Sequence, residues 1–537
     1  MDVTINSQVQ SPLVRTLESV STKAGSFTHN IPDNIPPLSM TKVRVQPYTM
    51  PGSWATADQK VEFQIPQCGY LHKAVLKFKY AKAATPTAGA GGPAAPPAAN
   101  TATVSGMRFP LVNHCAYATV DRMQLASRNR AIEHLFGTDL WIRALNSDAG
   151  NRSRLLNMSQ PRAIYTSGDE TRLSEPGRAG DGGDAQPFYW NLLEYGHTPD
   201  SAGNHAVSDQ AVAYLDVPLS SFESLAHSYN TRFVEPLVLQ TWINPPTQYN
   251  VVPAANAADP TRCANLNGVE LICYFINYHD VTDQDIRNAD FNPEVPAVVM
   301  QHDCYLEQEF DIINSGVKVG QGDLTNAGYI VNCSIRLRAN QLAYAVGVAV
   351  VNNAPSVEGY DYLCQVPLAG AAHTDCYNNA ANVLAARRND YLPKIMGMSL
   401  TGSGQTLYES VDFENELCDR FAYNLSTLEP KATGPISDVS TTPVISPLDR
   451  SFTATTGLIH FGLSNNKTYN SGAIGLQTIT NPTLNVTVAL PNDFAGWGTY
   501  ADAAHGRPTP MLHVYVYHHA LVQIDSGTGA ITRSIDA

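Results

Sequence analysis

The sequence predicts an all-β protein built as two tandem antiparallel β domains, with short helices and long loop insertions between the strands. Apolar residues recur at every second position through most of the chain, the spacing that buries one face of a strand and wets the other. At 537 residues the chain exceeds the usual size of one domain, and a hydrophobic share of 43% supplies two cores. The two halves also close with the same order of elements.

Residues 1–60 read as an extended N-terminal arm, because Pro32, Pro36, Pro37, Pro47 and Pro51 exclude a central strand or a long helix. Val61, Phe63 and Ile65 then alternate with Glu62 and Gln64. After a turn at Gly69, Leu76, Phe78 and Tyr80 alternate with Lys77 and Lys79, so the two runs read as an antiparallel pair. Helical spacing is rare. It occurs from Ile132 to Leu145, where Leu135, Leu140 and Trp141 fall near one face. It recurs from Thr282 to Asp290, whose start resembles a capping box at Thr282 and Asp285, and from Ala381 to Arg388. Long loops rich in turn residues run from Ala81 to Thr103, Ser167 to Gln186, Pro245 to Ala264 and Pro430 to Pro447. The strand pattern lapses around Asp280 to Gln301, where Pro293 and Pro296 lie. We therefore expect a first domain at 61–285, a linker at 286–305 and a second domain at 306–537.

In the second domain, Ile335 and Leu337 sit between Ser334, Arg336 and Arg338, and the same alternation marks Leu484 to Val488 and Leu512 to Val516. The unbroken apolar run Ala343 to Val351 predicts a strand covered on both faces, either between sheets or at a subunit contact. Each half closes with a strand, a long loop, an apolar strand, another loop and a final long strand. In the first half these strands are Val212 to Leu219, Val238 to Ile243 and Val269 to Tyr278; in the second they are Gly457 to Leu463, Leu484 to Leu490 and Met511 to Ala520. Residue identity between them is negligible, so the echo is architectural.

Charged residues make up 15% of the chain, against about 25% in ordinary soluble domains. Neutral surface must either be sheathed in Asn, Thr, Ser and Gly or buried against other subunits. The net charge is −14 and no stretch carries a Lys/Arg run, which argues against direct nucleic-acid binding. The opening residues form no basic segment followed by an apolar core, and no uncharged apolar run approaches about 18 residues, so neither a signal peptide nor a membrane-spanning helix is expected. Nine cysteines without CxxC spacing fit reduced thiols of a cytosolic protein rather than a disulfide framework. Six sequons, among them Asn151-Arg152-Ser153 and Asn485-Val486-Thr487, read mostly as ordinary strand and loop polarity.

Candidate chemistry is sparse. His518 and His519 are adjacent on a strand, so their side chains point to opposite faces and cannot chelate one metal together. His302-Asp303-Cys304 could seed a nucleophile, but such a site needs partners from elsewhere in the chain. Thr401-Gly402-Ser403-Gly404-Gln405-Thr406 superficially matches a phosphate loop; without the Lys-Ser/Thr end it reads as a hairpin turn. Asp181 and Asp184 lack the spacing that would give Ca²⁺ six oxygens. No catalytic, cofactor-binding or metal site is expected, and no enzymatic activity.

Several landmarks, taken in order, resemble a known family. They are Phe63-Gln64-Ile65-Pro66-Gln67-Cys68-Gly69; Asp216-Val217-Pro218-Leu219 followed by Glu235-Pro236-Leu237-Val238; Glu270 to Asp280 followed by Thr282-Asp283-Gln284-Asp285; Met398-Ser399-Leu400-Thr401-Gly402; Thr456-Gly457-Leu458-Ile459-His460-Phe461; and the closing strand His513 to Ile524. In this order they resemble the major capsid proteins of large eukaryotic DNA viruses, the double jelly-roll lineage of phycodnaviruses and iridoviruses. The resemblance implies two tandem antiparallel eight-stranded jelly rolls and a homotrimeric, pseudo-hexameric capsomer that tiles an icosahedral shell. It further implies a place in the virion, assembly in the host cytoplasm or nucleus, and contacts with neighbouring capsomers. The N-terminal arm would reach minor capsid proteins under the shell, with room for an underlying membrane. Two other readings fit length and loops: a single-jelly-roll RNA virus capsid protein with a protruding domain, and a β-sandwich carbohydrate-binding or carbohydrate-hydrolysing protein with Trp190 and Trp242 lining a groove.

Overall fold

The computed structural model describes residues 38–51, 59–81, 111–167 (apart from 113, 129 and 148), 170–173, 206–219, 230–250, 263–278, 297–320, 327–338, 342–352, 362–363, 393–411, 414, 455–462, 472–491, 510–525 and 528–534. The expected helices at 282–290 and 381–388, the loop at 430–447, Asp181, Asp184 and Trp190 lie outside these residues.

The first half contributes β1 (Leu38–Val45), β2 (Gln59–Gln64), β3 (Tyr70–Ala81), β4 (Val120–Ser127), β5 (Arg130–Phe136), β6 (Arg162–Ser167), β7 (Glu170–Leu173), β8 (Ala206–Val217), β9 (Leu237–Ile243) and β10 (Asn265–Tyr278). They form two sheets, β1-β10-β3-β8-β6-β7 and β2-β9-β4-β5. Four short helices stand between them: α1 (Cys115–Thr119), α2 (Gly137–Leu145), α3 (Ala149–Ser159) and α4 (Pro246–Tyr249). The second half contributes β11 (Ala297–Asp311), the short helix α5 (Ile312–Ser315), β12 (Val317–Gly320), β13 (Ala327–Arg336), β14 (Leu342–Asn352), β15 (Lys394–Gly402), β16 (Gln405–Ser410), β17 (Thr456–His460), β18 (Ile474–Gly475), β19 (Thr483–Pro491), β20 (Pro510–Ile524) and β21 (Ile531–Ser534). Its sheets run β11-β20-β14-β17 and β12-β13-β19-β15-β16, with β18 beside β14 and β21 beside β20.

Setting aside β6, β7, β12, β18 and β21, each half keeps eight strands, numbered here by position along the half. In both halves one sheet then reads 1-8-3-6 and the other 2-7-4-5. This is the jelly-roll order, and it occurs twice. The closing strands matched between halves in the sequence are positions 6, 7 and 8 of each roll. Two separate cores follow from it. Val61, Phe63, Leu76, Phe78, Leu215, Leu239 and Phe275 pack in the first, and Val331, Ile335, Val348, Leu400, Val486 and Val514 in the second.

Four expectations differ from the structure in detail. Residues 38–45, placed in the arm, form β1, which pairs with β10 from Leu38↔Tyr278 to Val45↔Leu271. The prolines at 36, 37, 47 and 51 bracket this edge strand instead of interrupting it. The linker assigned to 286–305 is strand from Ala297 onward. The runs around Phe63 and Phe78 do not pair with one another: β2 lies beside β9, and β3 lies between β10 and β8 in the opposite sheet. Both point into the same core, and alternation alone cannot distinguish strands that pair from strands that face each other. Finally, the helix read from Ile132 begins only at Gly137, and Ile132 to Phe136 belong to β5. The turn at Ser403-Gly404 is as expected: φ is 52° and 75°, the paired positive values of a two-residue type I′ hairpin.

Candidate functional site

The residues with the densest polar and aromatic contacts lie where the two rolls meet. On β14 and β20, alternate residues serve two interiors. Val346, Val348, Val350, Leu512, Val514 and Val516 enter the second core, while Ala345, Ala349, Tyr515 and Tyr517 turn the other way and pack with Cys304, Ile142 and Phe136. The apolar run Ala343 to Val351 is therefore covered on its outer side by the first roll of the same chain. Small side chains on β14 admit the rings. A Cβ at Gly347 would lie 2.8 Å from the Tyr517 ring, so any larger residue would displace it.

The helix α2 brings a buried ion pair to this joint. Asp139 and Arg143 stand one turn apart, with Arg143 Nε donating to Asp139 Oδ1 at 2.9 Å and Asp139 fully buried. The guanidinium stacks over Tyr517 at 5.1 Å from the ring centroid. Burial alone would depress the Arg143 pKa, but the Asp139 carboxylate together with Tyr344, Cys304 and Tyr517 outweighs it and the group is held above its ordinary value. Cys304 Sγ donates to Asp139 Oδ2 at 3.4 Å. Burial, reinforced by that carboxylate, pushes the thiol well above its ordinary pKa and keeps it protonated. The His302-Asp303-Cys304 run thus has no thiolate to offer as a nucleophile.

Asp303 and Cys304 have a different part to play. The β5 edge runs beside β11, the edge strand of the second roll's sheet, and two side chains take the place of a ladder. His134 N donates to Asp303 Oδ1 at 2.7 Å, and the one Cys304 S–H, which Asp139 Oδ2 also faces, is shared with the His134 carbonyl at 3.3 Å. Both backbone groups of an edge residue are satisfied across the joint, which closes that edge to further strand pairing. At the far end of the joint, Val522, Ile524 and Ile531 of the second roll join the first roll's core, and Glu235 N donates to the Gly529 carbonyl at 3.0 Å. Gly529 has φ of 68° and a Cβ there would lie 2.3 Å from the Phe233 carbonyl, so only glycine fits.

The histidine pair behaves as its strand position requires. His518 lies 5.6 Å from the Tyr305 ring and His519 5.0 Å from the Tyr344 ring, both buried. Burial, with His518 and His460 nearby, depresses His519 to about 4. Among the described residues no three His, Cys, Asp or Glu side chains gather as a metal site would require. Trp242 is half-buried, its ring flanked by Lys60 at 5.2 Å and Arg122 at 4.5 Å.

The outer sheet faces differ between the rolls. On the first roll's 1-8-3-6 sheet, register places Lys42 and Arg44 of β1 beside Tyr274 and Ile272 of β10, and Lys73 and Lys77 of β3 beside Tyr274 and Glu270. Lys77 and Lys79 pair with Glu270, and Lys73 pairs with Asp216 at 3.2 Å. Burial would raise the Glu270 pKa, yet these lysines and Gln46 hold it below the ordinary range. On the second roll's 2-7-4-5 sheet the outer face is mostly neutral and polar, with Arg336 of β13 and Glu409 of β16 its charged members. Ser334 Oγ donates to Asn485 Oδ1 at 2.7 Å and Thr487 Oγ1 to Asn332 Oδ1 at 2.9 Å, so the sequons at 332 and 485 cap one another across β13 and β19. Sequence reasoning missed the cationic face and the Asp139–Arg143 pair. The i, i+4 spacing of the pair was visible; its burial was not.

The sequence matches no family model and no curated protein. In solved structures the likeness is extensive. The crystal structure of VP54 of PBCV-1, fitted into a reconstruction of the virophage Sputnik, superposes with a TM-score of 0.57 at 12% identity, covering 95% of this chain and 99% of that one. The chain has the VP54 fold. A quasi-atomic model of the PBCV-1 virus capsid gives a TM-score of 0.55 at 12% identity, with the same coverage. The VP54 fold thus extends over both rolls and their joint.

Proposed function

We propose that this chain is a viral major capsid protein, which associates as a homotrimer of pseudo-hexameric outline and tiles the icosahedral shell of a virion. The observation that carries this reading is the repetition itself. Two rolls of identical strand order are locked side by side in one chain, and three such chains present six similar blocks around an axis. The joint supports it, because a buried ion pair, stacked rings and an edge sealed by Asp303 and Cys304 hold the two rolls in fixed relation. The likeness over 95% of the chain to a protein found in a virus capsid favours it over a single-roll capsid protein or a carbohydrate-active sandwich. On this reading the chain acts by geometry and not by catalysis. Neighbouring capsomers are its lateral partners, and the residues before Leu38 reach minor capsid proteins under the shell, with a membrane beneath. Electron microscopy of the purified protein tests the proposal. Pseudo-hexagonal trimers are expected; dimers with protrusions, or monomers that turn over glycans, would overturn it.

A further inference from the structure

A cleft of about 720 Å³ opens on the second roll, where β13 ends, β19 begins and β11 passes beside them. Its volume falls within the range of about 300–1,000 Å³ that small-molecule sites occupy, and its lining shares no residue with the joint between the rolls. Buried Leu337 and Pro482 give it apolar surface. Around them stand Glu307, Gln308, Arg336, Arg338 and Asn481.

Two breaks in regular backbone converge here. β11 slips by one residue against β20 between Leu306 and Gln308, so Glu307 falls out of the ladder, the means by which a strand re-aims a side chain. The Glu307 side chain is 2% exposed, and its Oε1 accepts from Arg338 N at 3.0 Å. Its Oε2 is buried and meets no donor among the described residues; the Tyr305 hydroxyl nearby donates instead to the Arg338 carbonyl at 3.4 Å. Asn481 is left-handed, with φ of 51°, and its Oδ1 accepts from Arg336 Nη2 at 2.9 Å. The loop that carries it is pinned from two sides: Ser403 N donates to the Thr480 carbonyl at 2.8 Å, and Leu337 N to the Pro482 carbonyl at 2.9 Å. The frame of the cleft is thus set before a ligand arrives.

Among these side chains hydrogen-bond donors outnumber acceptors. Arg336 and Arg338 are exposed, and of the five N–H donors on each guanidinium the described residues engage at most one. Two residues apart on an extended chain, they share a face and suit a carboxylate. Glu307 suits the opposite partner, a hydroxyl donor, because a buried carboxylate oxygen left unpaired costs free energy. The terminal torsion of a carboxylate is soft, so a small rotation presents that oxygen to the cleft. The amides of Gln308 and Asn481 can both donate and accept. One rigid ring that carries a carboxylate and hydroxyls meets all of these groups. We infer that the cleft is a binding site for an acidic saccharide, its carboxylate held by Arg336 and Arg338 and a ring hydroxyl donating to Glu307. A phosphate or an acidic peptide would satisfy the arginines, but neither brings adjacent hydroxyls for Glu307 and the amides. The site is additional to the capsid reading and independent of it.

The test titrates the full chain with methyl β-D-glucuronide, followed by saturation-transfer NMR. Methyl β-D-glucoside, glutarate and triaspartate are compared with it. The glucuronide should bind at about millimolar strength, with the glucoside and glutarate each weaker by about tenfold or more. Arg336→Gln/Arg338→Gln should weaken the glucuronide by about tenfold or more. Glu307→Gln should weaken the glucuronide and leave glutarate unchanged, because glutarate has no hydroxyl to donate. Each variant is checked for wild-type thermal unfolding, and Arg336→Gln alone, an exposed change, replaces one that does not fold. Equal binding of glucuronide and glutarate, unmoved by Glu307→Gln, overturns the saccharide in favour of a simple anion clamp. Triaspartate that displaces the glucuronide at lower concentration overturns it in favour of a protein partner. No glucuronide binding up to about 20 mM overturns the site itself. Each of these results leaves the capsid reading standing.

Discussion

The same sheet in the two rolls has opposite outer faces. Strand 3 of the first roll presents Lys73, Lys77 and Lys79 outward; strand 3 of the second presents Ala345, Gly347 and Ala349. Strand 8 presents Glu270 and Tyr274 in the first, Tyr515 and Tyr517 in the second. Strand order is identical, so topology does not set this chemistry. What lies across the face does. The second roll's sheet is covered by α2 of its own chain, always present at folding, and can be apolar throughout. Across β1, β10 and β3 of the first roll's sheet no helix of the described residues is laid, and long cationic side chains over tyrosines keep the face wet. The low charge of the chain is thus met in two ways: by an intrachain joint, and on the second roll by the Ser, Thr and Asn ladder of β13, β19 and β15.

The largest expected effect lies at β1, the strand that carries the cationic edge. Deleting residues 1–50 removes β1, exposes the β10 edge and should abolish cooperative unfolding of the first roll. Deleting 1–37 should leave thermal unfolding unchanged and affect shell assembly alone. Calorimetry of both truncations decides whether the arm ends at Leu38 or extends further.

At the joint, Asp139→Asn leaves the buried Arg143 charge without its counter-ion and should cost about 3–5 kcal/mol in urea unfolding. Gly347→Val forces a side chain into the Tyr517 ring and should cost about 1–3 kcal/mol. At Lys73, half-buried on the equivalent strand of the first roll, Lys73→Gln should change stability by about 1 kcal/mol or less. Equal costs at Gly347 and Lys73 would erase the contrast between a covered face and a wet one.

Acid should weaken the rolls unequally. Burial depresses His114 in the first roll to about 3, and His513 and His519 in the second to about 4. With folded values below the unfolded value of about 6.5, the unfolded chain binds more protons as pH falls from 6.5 towards 4, so stability is lost across that window. Among the described residues the second roll carries three depressed histidines, His460 included, against two in the first, His72 included. Its melting transition should fall further between pH 7 and 4.5, and His513→Gln should flatten the difference. The smallest effect is expected at the polar ladder of β13 and β19, where Asn485→Ala removes exposed hydrogen bonds and should change stability by about 0.5 kcal/mol or less.

The strands were legible because each buries one side. Val61 to Ile65 and Leu76 to Tyr80 announce a wet face and a dry face in their alternation, and the matched closing strands gave the repeat. Pairing was not legible, since β2 and β3 face the same core from opposite sheets. Nor was the joint. Asp139, Arg143, Asp303 and Cys304 are four polar residues from two distant segments, and only the packed rolls show that they satisfy one another. The cationic face escaped notice for a related reason: Lys42 and Arg44 stand far from Lys73 to Lys79 in sequence, and β10 brings them together.

Electron cryomicroscopy of the purified assembly, at a resolution that traces strands, tests the central claim most directly. The capsid reading predicts three chains in a ring, six rolls of one strand order around a common axis. A two-fold dimer or a monomer would contradict it.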